Sequence, residues 1–478
     1  MEQLHVAANR NYYIALSASV VLTLALAAFL FPLSQALSLS LGFLLSTVAA
    51  SLIAGHAVKQ PSFATLIIAV GAFVWMLTLA SMAECSVWQG GSLCEPVLNV
   101  DDHKYYNWAL HYLNGSAPLP KVEFPGYPFI ILLIWKLTGP SLIWPMVLNY
   151  FATLSAIVLT VAIAHKVVTP HVPRQARTVT LLTTLLMVLQ MHWVFYGTRL
   201  LKEPLLYLSV TLTAYALIGS GSARQSHSRT HAALLILGAA LMAVMRTTWM
   251  YFILLAIFLA ALPRRWRREK AFFFVSSAVV LVFFVTASLF ARNPASYSHA
   301  AIVQGGDVMA HQFINGTNQD IYKRLLGDYF YAPMWHRLLL LPVTMAVQFF
   351  IPFPWIGNEQ AIFSSILPRA NVVWYAVGAV AVFHCIFLSW RRQFSLGWLA
   401  LWPALSYVII AFLTAGTVSR YVLPFAPLFT VIAVDVILRA KDAPWKSLFR
   451  HWCCLAVIAV AAVLTVCYLI QHGALSIT

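Results

Sequence analysis

Long apolar stretches recur along this chain from Tyr13 to Ile477. Hydrophobic residues make up 61% of the 478 residues and charged residues only 9%, a composition that a soluble protein of this length cannot bury. Stretches of about 20 apolar residues can cross a bilayer as helices. The sequence therefore predicts an all-α polytopic membrane protein with about 13 transmembrane helices, at residues 13–31, 36–55, 63–82, 144–166, 178–197, 203–219, 231–245, 248–262, 271–290, 372–390, 395–414, 421–438 and 452–471.

The basic residues indicate an orientation in the membrane. The formal net charge is +16, but Lys and Arg are scattered through short loops between apolar stretches, which is typical of membrane topology, so no nucleic-acid partner is expected. With a cytoplasmic N-terminus, 18 of the 30 Lys and Arg residues fall in cytoplasmic loops, and 10 of the 14 acidic residues fall outside. The cluster Arg264–Lys270 is the strongest single signal for this orientation.

These assignments divide the chain into five segments. Two of them, 83–143 and 291–371, are external and too long to be simple connections. Within the second, the apolar stretch 338–353 ends in a proline-rich turn and is expected to lie at the interface. In the first, Cys85 and Cys94 flank a Gly-rich loop, and whether they form a disulfide is left open. The other three segments hold the transmembrane helices, at 1–82, 144–290 and 372–478.

The first external segment carries an acidic pair, Asp101 and Asp102. Adjacent carboxylates beside membrane helices are costly and indicate a function. Apolar residues then repeat with a helical period from Tyr106 to Leu113, which predicts an amphipathic helix at the membrane surface. The turn Pro125–Pro128 follows, and after it a second interfacial helix is expected over Phe129–Leu137. At the start of the first helix, the helix dipole favours ionised carboxylates.

Further charged residues are predicted at the same external level. They come from distant parts of the chain: Arg199, Lys202, Glu203, Arg246 and Arg420, the last followed by Tyr421. Arginines at one depth can bind a phosphate, and a nearby carboxylate can take a proton from an attacking hydroxyl. Alternatively, Asp101, Asp102 and Glu203 could hold Mg²⁺ or Mn²⁺. A purely structural interpretation, with headgroup anchors, helix caps and local ion pairs, remains open for each residue.

Several motifs together resemble the GT-C superfamily of integral membrane glycosyltransferases, in particular the bacterial enzymes similar to dolichyl-phosphate-mannose-protein mannosyltransferases. The first-loop pattern of that family matches Asp101, Tyr105, Ala109 and Gly115, and its Pro-Gly-Tyr-Pro turn matches Pro125–Pro128. A later external acid matches Glu203, an arginine after an apolar helix matches Arg246, and the C-terminal motif matches Arg420–Pro427. The matches run from about residue 100 to 430.

The resemblance implies roles for these residues. Asp101, with Asp102 beside it and Glu203, would be the catalytic acids or metal ligands. Arg420 would bind the donor phosphate, together with Arg246, Arg199, Lys202 and Tyr421, while Tyr105, His103 and Tyr127 would position the substrate. The donor would be a sugar on polyprenyl phosphate, the acceptor a glycan, lipid or protein, and the location the bacterial inner membrane, with its lipids around the enzyme. The chain departs from the family in having two extra helices before the first loop and no large soluble C-terminal domain.

Two other classes remain open. A transporter or flippase of a lipid carrier would need charges at mid-membrane and inverted repeats, and neither is evident in the sequence. A polysaccharide polymerase or ligase would use arginines without needing the acidic pair. The identities of the sugar and the acceptor are not encoded in any motif of the sequence.

Overall fold

The computed structural model describes residues 2–58, 60–88, 100–115, 126–220, 228–246, 249–261, 334–341, 344–345, 348, 397–414 and 421–439. For 2–10, 84–88, 100–103 and a few other helix residues, this description covers the backbone only. Every regular element within these ranges is a helix. The α-helices are α1 (Glu2–Leu30), α2 (Leu33–Val58), α3 (Pro61–Trp88), α4 (Val100–Leu113), α5 (Gly126–Thr138), α6 (Ile143–Val167), α7 (Ala176–Val188), α8 (Met191–Gly197), α9 (Glu203–Ser220), α10 (Ser228–Met245), α11 (Met250–Ala261), α12 (Met334–Leu339), α13 (Trp398–Thr414) and α14 (Ala426–Arg439).

Four of the described helical segments are long and apolar enough to cross a membrane: Asn11–Leu30, Leu33–Val58, Ser62–Ala80 and Ile143–His171. Their leucine- and alanine-rich sequences favour helix, and the first two keep large apolar side chains exposed, as lipid-facing helices do. Several helices have proline in their first turn, as at Pro61, Pro128, Pro204 and Pro427, where no intrahelical hydrogen bond is lost, while Pro403 lies inside α13. The described part of the protein therefore has the all-α architecture of an integral membrane protein.

Helix α6 is the centre of the bundle, and nearly all of its side chains are buried. It packs against α2, α3, α7, α9 and α14. The hydroxyl groups of Thr47 and Tyr150 share a hydrogen bond of 2.7 Å that ties α2 to α6. The Tyr150 ring also packs edge-on to Trp75 of α3, with 4.8 Å between ring centroids. The first three helices are thereby fixed to the same core as the rest of the bundle.

Helices α9 and α10 form a close antiparallel pair. Gly238 allows the contact, because a Cβ there would lie 2.7 Å from Oγ1 of Thr213. The Ser209 hydroxyl donates a hydrogen bond of 2.6 Å to the Gly238 carbonyl oxygen. The expected division of the sequence at Arg246 is confirmed, since α10 ends at Met245 and α11 begins at Met250.

The transmembrane helix expected at 178–197 is not continuous. Helix α7 ends at Val188, and α8 begins only at Met191. Between them, Gln190 leaves helical geometry with φ −77° and ψ 72°. Its side-chain amide donates a hydrogen bond of 2.6 Å to the Thr430 hydroxyl of α14, which compensates for the interruption. This break is a correction to the sequence-based expectation.

The remaining sequence-based predictions concern the two interfacial helices and segments beyond the described residues. Helices α4 and α5 correspond to the two interfacial helices expected in the first external segment. The predicted transmembrane helices at 271–290, 372–390 and 452–471, most of segment 291–371 and the cysteine Cys94 lie outside the described residues. The count of 13 transmembrane helices and the orientation of the chain therefore stay predictions.

Candidate functional site

The connection between α8 and α9 carries three buried ionisable side chains. Arg199 is 4% exposed, Lys202 6% and Glu203 2%. Glu203 is the first residue of α9, where the helix dipole stabilises a carboxylate. Ionised groups removed from water require compensating partners or a ligand, and in membrane proteins such residues mark functional sites. Two cations and one acid within five residues leave this connection with a positive balance.

Asn149 of α6 holds this connection in place. Its side-chain amide nitrogen lies 2.6 Å from the carbonyl oxygen of Arg199 and 2.9 Å from that of Leu201, and donates hydrogen bonds to both. The same nitrogen lies 2.7 Å from the hydroxyl oxygen of Tyr127. Because Asn149 is fully buried in the most buried helix, these contacts fix the backbone that presents Arg199 and Lys202.

Helices α4 and α5 bring two predicted tyrosines to this connection. The rings of Tyr105 and Tyr127 pack edge to face, with 5.4 Å between their centroids. The Lys202 ammonium nitrogen lies 5.7 Å from the centroid of the Tyr105 ring, within cation–π range. Asp101 lies in α4 one helical turn before Tyr105, so its backbone is near the same site. The side chains of Asp101, Asp102 and His103 lie outside the description.

The Pro-Gly-Tyr-Pro turn connects this region to Arg246. Gly126 begins α5 in contact with the last turn of α10: a Cβ there would lie 1.8 Å from the Val244 carbonyl oxygen, so glycine is required. Arg246 follows Val244 by two residues. Its guanidinium carbon lies 3.8 Å from the centroid of the Tyr421 ring and 4.9 Å from that of the Trp249 ring. The two aromatic rings hold the guanidinium by cation–π contacts.

The guanidinium of Arg199 is the most informative group in the region. Its central carbon lies 4.4 Å from the centroid of the Phe195 ring. Its Nε and Nη2 atoms are buried and have no hydrogen-bond partner among the described residues. Leaving a buried donor unsatisfied costs about 1–3 kcal/mol, and more when the group is charged. This region of the fold therefore has buried N–H donors that suit an anion.

The structure brings together most of the residues singled out by sequence. The region around Asn149 contains Tyr105, Tyr127, Arg199, Lys202 and Glu203. Arg246 and Tyr421 form a separate pair, and helix α5 connects that pair to the region because its Gly126 contacts the end of α10. Arg420 lies outside the described residues, so its convergence with Asp101 stays a prediction. We refer to this region, defined by Tyr105, Tyr127, Asn149, Arg199, Lys202 and Glu203, as the Arg199 end.

Sequence reasoning missed two residues here, Asn149 and Trp249. Asn149 is a single amide in an otherwise apolar predicted helix, and a buried amide of that kind was itself a signal of an interhelical contact. Trp249 lies three residues after Arg246, and nothing in the sequence distinguishes it from an ordinary interfacial tryptophan.

A metal site is not assembled by the described side chains. Among them, no group of three His, Cys, Asp or Glu residues is placed to hold an ion. Of the three acids proposed as ligands, Glu203 is the one whose carboxylate the structure places, and oxygen is the ligand type that Mg²⁺ and Mn²⁺ prefer.

Comparison with known proteins gives no further guide. No protein-family model, curated protein or solved structure matches this chain. The geometry of the Arg199 end is therefore the basis for a functional proposal.

Proposed function

We propose that this protein is a membrane glycosyltransferase that transfers a sugar from a polyprenyl-phosphate donor to an extracytoplasmic acceptor. The observation that supports this most is the buried Arg199 guanidinium, with two N–H donors that have no hydrogen-bond partner among the described residues, in the same connection as buried Lys202. Arginine presents a rigid fork of donors that fits phosphate oxygens. A phosphate would satisfy both donors and balance the positive charge.

The reaction we propose inverts the anomeric carbon. The carboxylate of Asp101 takes the proton of an acceptor hydroxyl, whose oxygen bonds to the anomeric carbon as the bond from that carbon to the phosphate oxygen breaks. The polyprenyl phosphate leaves with the bonding electrons. Arg199 and Lys202, assisted by Arg246 and Arg420, neutralise the charge that develops on it. Asp102 and Glu203 would orient these groups.

Mg²⁺ or Mn²⁺ fits the same proposal. The carboxylates of Asp101, Asp102 and Glu203 would hold the ion, and the bound ion would neutralise negative charge on the phosphate. Metal dependence is thus an additional prediction and not a requirement of the arginine contacts.

The outer surface of α4 and α5 suits a substrate anchored in lipid. Tyr112 and Phe129 are exposed there, and the buried ring of Trp108 lies beneath them: it stacks on that of Tyr112, with 4.1 Å between centroids, and packs edge-on to Phe129. Along α5, Phe129, Leu133 and Leu137 are exposed at successive helical turns. Aromatic and apolar side chains of this kind settle at the bilayer surface, where a polyprenyl phosphate also lies.

A transporter of a lipid carrier is the second candidate, and one observation favours it. The interruption between α7 and α8 places Gln190, which is 1% exposed, inside the bundle. Discontinuous helices form the substrate sites of many transporters. In that case the Arg199 end would bind the phosphate without chemistry at the anomeric carbon.

The deciding experiment measures release of polyprenyl phosphate from labelled polyprenyl-phosphate hexoses by the purified protein in lipid nanodiscs. We expect Asp101→Asn, which removes the general base, and Arg199→Met, which removes donors to the departing phosphate, each to lower the rate by about 100-fold or more. Arg229→Gln is the control, because Arg229 is exposed at the start of α10. Full activity of Asp101→Asn would contradict the enzymatic proposal. Movement of an intact donor between leaflets without release of polyprenyl phosphate would establish the transporter.

A further inference from the structure

The opposite end of the bundle has a cationic surface that the proposed function does not use. It lies where α6 ends, two short 3-10 turns follow at Thr169–His171 and Pro173–Gln175, and α7 begins. Helix α14 ends beside them, since it packs against both α6 and α7. Lys166 is about 25 Å from Asn149 along α6, given the rise of an α-helix, so this surface is remote from the Arg199 end.

Cationic side chains dominate this surface. Arg174 and Arg177 are exposed cations, Arg439 has 28% of its side chain exposed, and the imidazole of His171 is exposed beside them. His171 lies close enough to Arg439 and Asp435 to interact electrostatically with both. In the described elements that form the surface, Asp435 is the one acid; it is 1% exposed and its carboxylate accepts a hydrogen bond of 2.6 Å from Nε of Arg439. The exposed charge is therefore positive.

An apolar strip continues from these cations along α7. Arg177, Leu181 and Leu185 follow one another at intervals of four residues, so they lie on one face of the helix. The two leucines are 57% and 54% exposed. The opposite face of α7, with Val179, Thr183 and Met187, is buried against the bundle. A cationic end above an exposed leucine strip matches a molecule with an anionic head and an acyl chain.

We propose that this surface binds an anionic phospholipid of the surrounding bilayer. The phosphate contacts Arg174, Arg177 and Arg439, with His171 at its edge, and one acyl chain lies along Leu181 and Leu185. Basic residues between helix ends at the membrane surface attract anionic headgroups in this way. The leucine strip distinguishes a lipid from a free phosphate ion, because inorganic phosphate gains nothing from an apolar surface. The proposal is independent of the activity at the Arg199 end.

Native mass spectrometry of the detergent-solubilised protein tests the proposal, with titrations of dioleoyl-phosphatidylglycerol, dioleoyl-phosphatidylcholine and inorganic phosphate. We expect retention of phosphatidylglycerol in preference to phosphatidylcholine and no retention of phosphate. Arg174→Gln/Arg177→Gln should weaken phosphatidylglycerol binding about 25-fold, because each cation near a membrane surface contributes about a factor of five. Leu181→Gln/Leu185→Gln should weaken it as well while leaving the cations in place.

Arg229→Gln is the matched control, since it removes one exposed arginine from another helix. A loss of binding in this variant equal to that in Arg174→Gln/Arg177→Gln would show a nonspecific charge effect and overturn the proposal. Equal retention of phosphatidylglycerol and phosphatidylcholine would also overturn the proposal. So would retention of inorganic phosphate to the same extent by the original protein and by Leu181→Gln/Leu185→Gln. A melting curve for each variant separates loss of binding from loss of fold.

Discussion

The two ends of the bundle differ in how their buried charged side chains are paired. At the end formed by His165, Lys166, Thr180, Asp435 and Arg439, which we call the Arg439 end, the buried carboxylate of Asp435 has its arginine at 2.6 Å. There too, His165 shares a hydrogen bond of 2.6 Å with the Thr180 hydroxyl, which donates one of 3.1 Å to Oε1 of Gln60. At the Arg199 end, by contrast, both Nε and Nη2 of the guanidinium are buried with no hydrogen-bond partner among the described residues, whereas Arg439 has one such nitrogen, Nη2, and bonds Asp435 through its Nε.

This difference teaches how to separate structural from functional charge. A buried ion whose partner belongs to the same fold needs no further explanation, because the partner offsets its desolvation. A buried cation with unsatisfied donors destabilises the protein alone and becomes favourable only when a ligand binds. The ion pair explains the buried carboxylate at the Arg439 end, and the unsatisfied donors at the Arg199 end fit the anion that we propose as its ligand.

The largest expected effect on stability is at the Arg439 end. Arg439→Met leaves the Asp435 carboxylate buried without its cation and should lower the free energy of unfolding by about 3 kcal/mol. Arg199→Met removes a buried cation with unsatisfied donors and should leave stability unchanged or raise it. Thermal unfolding in detergent micelles measures both. If Arg199→Met proves the more damaging of the two, the contrast between the ends is wrong. Recovery of stability in Arg439→Met/Asp435→Leu would confirm the cause.

A glycine substitution tests how tightly the Arg199 end is assembled. Gly126→Ala should destabilise the protein by about 2–3 kcal/mol, because its Cβ would meet the Val244 carbonyl oxygen and force α5 away from α10. Gly55→Ala is the matched control, since a Cβ there meets nothing within 4 Å. Melting temperatures of the two variants give the comparison. Equal, small shifts would show that α5 is free to move.

Substitution of Asn149 tests how strongly its side chain holds the 198–202 connection. Asn149→Leu loses the hydrogen bonds to the carbonyl oxygens of Arg199 and Leu201 and should cost about 2 kcal/mol. Thr160→Val is the control, because the Thr160 hydroxyl bonds only within its own helix, to the Ala156 carbonyl oxygen. Proteolysis of the 198–202 connection should be faster in Asn149→Leu. Unchanged cleavage rates would mean that other contacts hold the connection.

The smallest effect is expected at the helix break. Gln190→Leu removes the hydrogen bond to Thr430 but also removes an Oε1 atom that is buried without a partner in the described structure. The two changes oppose each other, and polar contacts within membrane proteins contribute only about 0.6 kcal/mol on average. We expect a melting shift near the limit of detection. A large loss of stability would assign Gln190 a wider role in holding α8 against α14.

Much of the helix order could be predicted from the sequence, because long apolar stretches admit few alternatives in a membrane. The division at Arg246 followed from the cost of burying that cation in one long helix, and the structure confirms it. The interruption at Leu189–Gln190 could not be predicted in this way. Its hydrogen-bond partner Thr430 lies 240 residues further along the chain, and no proline or glycine marks the position.

The candidate site was predictable in its residues and not in its contacts. Charged side chains are rare in this chain, so Arg199, Lys202 and Glu203 were conspicuous by type alone. Their burial could not be predicted, because the sequence was equally compatible with exposed headgroup anchors. The pairing of Asp435 with Arg439 is of the kind that sequence can predict, since a spacing of four residues within one helix fixes the geometry locally. Contacts made across the bundle, such as those of Asn149, depend on packing that spacing does not encode.

The attachment of the 198–202 connection to Asn149 has a mechanical consequence. A backbone that is hydrogen-bonded to α6 cannot swing over a substrate, so in the proposed reaction Arg199 and Lys202 would act as a fixed template. Such preorganisation means that little reorientation is needed once an anion arrives.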